Sequence, residues 1–94
     1  MVDKKQKIIE NICYTDLVYG RINKKLSTDL SNLQIELFID KTLKMTDKKL
    51  FKKIGKNYYV TNSENNVRIT INSNTFRVIT VDKLIKKAYA QHRV

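Results

Sequence analysis

Apolar residues recur every three to four positions through the first half of the chain and every second position through most of the second half. In residues 4–26, Ile8 and Ile12 lie four apart, and Val18, Ile22 and Leu26 repeat that spacing with Leu17 beside them. This predicts helix, either one long element or two with a break near Cys13 to Thr15, where Thr15 is a candidate N-cap. Lys24 and Lys25 fall in the last turn, where cations favour the negative end of the helix dipole. A short loop at 27–30 follows. Ser31 and Gln34 then form a capping box, and Leu30 with Ile35 forms a hydrophobic staple, so a helix is predicted over 32–45. Its predicted apolar face is Leu33, Leu37, Phe38, Ile39 and Leu43. A third, short helix is predicted over 47–54, with Thr46 as N-cap and Asp47 in its first turn. Leu50, Phe51 and Ile54 would face inward, and Gly55 would terminate it.

Period two then takes over. "NYYVT", "VRITIN" and "TFRVITV" are rich in β-branched and aromatic residues and are separated by turn-forming polar runs. They predict a three-stranded antiparallel meander over 57–61, 66–72 and 75–81, followed by a C-terminal helix over 82–92 that starts at Asp82 and buries Leu84, Ile85, Ala88 and Tyr89. A two-residue turn at Ser73-Asn74 pairs Ile71 with Phe76 and Ile69 with Val78. Tyr58, Val60, Val67, Ile69, Ile71, Phe76 and Val78 then share the core face. Asn57, Tyr59, Thr61, Arg68, Thr70, Asn72, Thr75, Arg77 and Ile79 share the other, with Tyr59 opposite Arg68. The whole reads as one α+β domain spanning 1–94.

Charge changes the picture most. Nineteen Lys and Arg against nine Asp and Glu give a formal net charge of +10. Such a field attracts polyanions, and it also keeps a small protein in solution. Fifteen of the cations are lysine, which positions a phosphate without reading bases. The single cysteine, Cys13, excludes an internal disulfide, and no apolar run has the length of a signal peptide or a membrane span. A cytoplasmic protein with no membrane association is expected.

Little here is catalytic. One histidine, His92, and one cysteine make no zinc set, and there is no glycine-rich phosphate cradle. Tyr14, Asp16, Tyr19 and Arg21 are more economically read as a hydrogen-bonded cluster within one packed helix. No enzyme activity, metal or cofactor is expected.

The candidate binding residues are basic. Lys48, Lys49, Lys52, Lys53 and Lys56 form two outer stripes of the 47–54 segment and its end, placed to contact phosphate. Tyr59, Arg68 and Arg77 on the polar sheet face would form a second surface, stacking on bases and holding phosphate bidentately. The plainer alternative for Tyr59 and Arg68 is a cross-strand cation–π pair worth about 0.5–1 kcal/mol. Helix, basic helix and strands in succession also suit a winged helix-turn-helix, but the connecting turn lacks its diagnostic glycine and the basic segment lacks base-reading Arg, Asn or Gln.

"NICYTDLVYGRINKKL" and "GKNYYVTN…NVRITINSNTFRVITVD" resemble a small bacterial domain family of unknown function, over about residues 10–85. The resemblance implies a compact bacterial domain and assigns no catalytic residue. Small domains of this kind occur in mobile elements and defence neighbourhoods. The leading expectation is a non-enzymatic module that binds nucleic acid. The alternative is a protein-interaction factor, such as an anti-CRISPR-like inhibitor of a nucleic-acid enzyme, seizing an acidic protein or ribonucleoprotein surface; its basic charge excludes nucleic-acid mimicry. The chain would be a monomer, or a homodimer paired across a sheet edge.

Overall fold

The computed structural model describes residues 3–84. The first segment divides in two. Helix α1 (Lys4–Asn11) is capped by Asp3, whose carboxylate accepts from the Gln6 amide at 2.8 Å. The chain leaves the helix at Ile12 because Cys13 pairs with the far end of the sheet: its N–H donates to Phe76 and its carbonyl accepts from Val78, each at 2.9 Å. Helix α2 (Val18–Leu26) then buries Val18, Ile22 and Leu26, spaced four apart. Leu17, not Thr15, occupies its N-cap, without a side-chain hydrogen bond. Asn23 ties down the following loop, its side-chain oxygen accepting from Thr28 and from the Leu30 amide.

Helix α3 (Asn32–Met45) carries the predicted capping box: Ser31 Oγ accepts from Gln34 N–H, and Gln34 Oε1 accepts from Ser31 N–H. Its buried face is Ile35, Ile39, Thr42 and Leu43. Leu33 and Leu37, expected in the core, are 64% and 59% exposed. They sit on the opposite side of the helix from Ile35 and Ile39. Lys5 of α1 reaches across to close the end of α3, donating to the Lys44 and Thr46 carbonyls at 2.7 Å each.

The expected helix over 47–54 is not present. Asp47 caps a single 3₁₀ turn, Lys48–Leu50, and strand β1 (Phe51–Ile54) follows at once. A helix of two turns is marginal on its own, whereas β1 gains a full ladder with β2 (Asn57–Asn62) through the two-residue turn Gly55-Lys56. Gly55 has φ 62°, in the first turn position, where a II′ hairpin requires glycine. It serves a hairpin, not a helix end.

Among the described residues the sheet therefore has four antiparallel strands instead of three, in the order β1, β2, β3 (Val67–Asn72) and β4 (Val78–Lys83). The β3–β4 connection is longer than the expected Ser73-Asn74 turn. Asn72 Oδ1 accepts from the Asn74 and Thr75 amides, and Phe76 adopts φ 60° before the chain rejoins the sheet. Ile71 pairs with Val78, and a bulge at Ile79 places Thr80 beside Thr70, Val81 beside Ile69 and Asp82 beside Arg68. Asp82 and Lys83 belong to β4, so no helix begins at Asp82. The rest of the expected C-terminal helix, with Ile85, Ala88, Tyr89 and His92, lies outside the described residues.

One face of the sheet, with Phe51, Val60, Val67, Ile69, Ile71, Val78 and Val81 buried, packs against all three helices. Beside this core lies a polar joint. Asn62 donates to Thr46 Oγ1 at 2.8 Å and accepts from the Asn65 amide at 2.7 Å, and Asn65 donates to Thr42 Oγ1 at 2.9 Å. The joint fixes the β2–β3 turn to the end of α3. Asn62→Ala removes two of these bonds and leaves the Asn65 amide without its acceptor, which is expected to cost about 1–3 kcal/mol, read from the urea unfolding midpoint. No helix of the described residues is long and apolar enough to cross a membrane.

Candidate nucleic-acid interface

Among the described residues, no helix packs on the outer face of the sheet. Register fixes its rows. Lys52, Tyr59, Thr70 and Thr80 lie across the four strands in one row, and Thr61, Arg68 and Asp82 in the next. Lys52, Tyr59, Thr61 and Arg68, with Leu50 and Ile54, line an open hollow. Leu50 and Ile54, expected in the core, are 38% and 65% exposed and form its apolar floor. The Arg68 guanidinium sits 5.6 Å from the centre of the Tyr59 ring, a cation–π pair that holds both groups over the hollow. Tyr59 does not lie directly opposite Arg68 as expected: Tyr59 pairs with Thr70 and Thr61 with Arg68, and the two side chains meet on the diagonal.

This hollow continues. A second, lined by Arg68, Lys83, Lys25 and Asp82, shares Arg68 with the first; a third, lined by Arg21, Lys24, Lys25 and Thr80, shares Lys25 with the second. The link is made by α2, which lies along β4 in the same direction. Arg21 donates to the Ile79 carbonyl at 3.4 Å, and Lys25 meets the Asp82 carboxylate at 2.9 Å. Cations thus line the three hollows from Lys52 through Arg68, Lys83, Lys25 and Lys24 to Arg21; Lys83 pairs with Val67 on the core-face side and also lines a hollow there with Leu26 and Phe38. Asp82 is the acid along this track, and among the described residues neither Lys52 nor Arg68 has a carboxylate within 4.0 Å.

Of the residues expected from sequence, Lys52, Tyr59 and Arg68 are brought together. The others are dispersed. Lys53 alternates to the opposite side of β1, where its partner is Tyr58. Lys48 lines a separate hollow with Asp3, Glu10 and Asp47. Lys49 and Lys56 are exposed in turns flanking β1. Arg77 lies in the β3–β4 connection beside Cys13, at the other end of β3 from Arg68. Arg21, Lys24 and Lys25 were the missed members; their signal is the i, i+3, i+4 spacing that puts three cations on one side of α2.

The chain matches the model of the family described as proteins of unknown function, DUF3781, over residues 6–82. The chain belongs to this family. No curated protein and no solved structure matches it. The matched span of the DUF3781 domain includes nearly all of the described fold, from the first turns of α1 to Asp82 in β4.

On the helical side of the DUF3781 domain, the Tyr14, Asp16, Tyr19, Arg21 cluster does not form as expected. Tyr14 and Tyr19 stack with ring centres 5.6 Å apart, Tyr19 donates to Glu36 of α3 at 2.6 Å, and Arg21 turns to the sheet. The hydrogen bond to Glu36 pushes the Tyr19 hydroxyl up from 10.0 to about 12, and burial followed by the nearby Glu36 charge raises Tyr14 as well. Because the folded value is raised, the Tyr19–Glu36 bond supports the folded chain fully below about pH 10 and that support is lost as pH climbs through about 12. Glu36→Gln is expected to bring the Tyr19 midpoint down toward 10, followed by tyrosinate absorbance during a base titration.

Proposed function

We propose that this chain is a non-enzymatic module that binds single-stranded nucleic acid, RNA or DNA, across the outer face of its sheet. The observation that carries the reading is the convergence of Lys52, Arg68 and Tyr59 on one face that no described helix covers, next to the α2 cations. Arg68 offers a bidentate fork to phosphate and Lys52 a point charge, while the Tyr59 ring gives a base a stacking surface. Leu50 and Ile54 add an apolar floor that a base covers more readily than a duplex backbone does. Lysine predominates among the cations, so affinity would depend steeply on salt and weakly on sequence.

Fluorescence anisotropy with labelled single-stranded RNA and DNA at about 50 mM salt tests this. Dissociation constants in the range of roughly 1–100 μM are expected, with duplex DNA bound more weakly. Absence of binding to either single strand would overturn the reading. A protein-interaction role is favoured by one separate observation: Leu33 and Leu37 are exposed together on α3, away from the sheet face. A protein partner retained after nuclease treatment, and lost in Leu33→Glu/Leu37→Glu, would favour that role.

A further inference from the structure

We infer that Arg21, Lys24 and Lys25 of α2, with Thr80 of β4, form a phosphate-binding subsite at the α2 end of the cationic track, an inference that rests on the sheet-face reading above. Three cations at i, i+3 and i+4 repel one another along one side of a nine-residue helix, and an anion between them relieves that repulsion. Placement near the helix C-terminus accounts for Lys24 and Lys25 through the helix dipole. It does not account for Arg21, which lies in the first half of α2 and is turned toward β4 by its bond to the Ile79 carbonyl. The fourth lining residue gives an independent sign. The Thr80 hydroxyl is buried and has no hydrogen-bond partner among the described residues, an arrangement that native structures seldom leave unanswered. A phosphate oxygen held between Arg21 and Lys24 would give that hydroxyl an acceptor after a rotation about its Cα–Cβ bond. Asp82 ties up Lys25 and repels an incoming anion, so it limits affinity at this end of the track.

The test uses the full chain and two probes. Inorganic pyrophosphate is titrated into the ¹⁵N-labelled protein, and single-stranded oligonucleotide binding is measured at about 50 mM salt. Pyrophosphate is expected to shift the amides of α2 and of residues 79–82 (the Thr80 segment) and to lose that effect in Arg21→Ala/Lys24→Ala. The same double variant is expected to weaken the oligonucleotide about fifty-fold, since each phosphate contact to a single strand is worth roughly seven- to eightfold at this salt. Thr80→Val is expected to weaken both ligands, and Asp82→Asn to tighten both, about tenfold. Pyrophosphate shifts that are absent, or that survive in the double variant, overturn the subsite. An oligonucleotide bound equally by the wild type and the double variant overturns it too, and leaves the sheet-face reading standing. Failure of the wild type to bind any oligonucleotide removes the sheet-face reading, and the pyrophosphate titration then decides the subsite alone.

Discussion

Phe51→Ala is expected to cost about 3–5 kcal/mol of stability, while Ile54→Ala, three residues along, is expected to change it by less than about 0.5 kcal/mol. Phe51 is 1% exposed and pairs with Val60 on the core face; Ile54 is 65% exposed on the outer face. The contrast is a signature of a strand, in which alternate side chains part company. A helix over 47–54 would place Leu50, Phe51 and Ile54 on one buried side, and Ile54→Ala would then cost about 2–5 kcal/mol. Urea unfolding of the two variants separates the alternatives, and comparable losses in both would contradict the four-stranded sheet.

Neutralising the centre of the track is the second large effect. Lys52→Ala/Arg68→Ala is expected to weaken single-stranded binding about fifty-fold or more at about 50 mM salt. The estimate counts two lost phosphate contacts and leaves out the Tyr59 ring, which also loses the guanidinium that holds it in place. Lys41→Ala/Arg77→Ala removes the same total charge from exposed positions off the track, Lys41 on α3 and Arg77 beside Cys13. That control is expected to weaken binding by less than about threefold, because more distant exposed charges are largely screened. Equal losses in the two double variants would mean that the +10 charge acts as a diffuse field with no preferred face.

These two effects mark what the sequence discloses and what it withholds. Helix α3 was legible at its start because the capping box and staple are local, and the fold class followed from the change of period. The stretch "KKLFKKI" was not legible. Its lysines are spaced four apart and its apolar residues Leu50, Phe51 and Ile54 keep helical spacing, so the local pattern points to a helix; hydrogen bonds from β2, which no local pattern reports, make it a strand. The core face was read correctly for β2 and β3, because the first hairpin differs from the expected register by two residues and an even shift preserves the faces.

The β4 side was misread for the complementary reason. The bulge at Ile79 is a one-residue slip, and it exchanges the faces of everything beyond it. Val81 turns into the core, and Thr80 and Asp82 turn outward. The longer β3–β4 connection removes Arg77 from the face and leaves Phe76, expected in the core row, half-buried at positive φ. Asp82, expected to start a helix, instead draws Lys25 to the sheet, and with it comes the basic side of α2. Half of the cationic track thus depends on a bulge and a helix–strand contact that pattern alone does not encode.

The salt dependence of single-stranded oligonucleotide binding tests the continuous track most directly. Four to six phosphate contacts along Lys52, Arg68, Lys83, Lys25, Lys24 and Arg21 give a slope of log K against log salt of about −3 to −4, at roughly −0.7 per contact. Removal of Lys52 and Arg68 is expected to reduce that slope by about 1.4, whereas a wild-type slope shallower than about −1, or one that the double variant leaves unchanged, would contradict it.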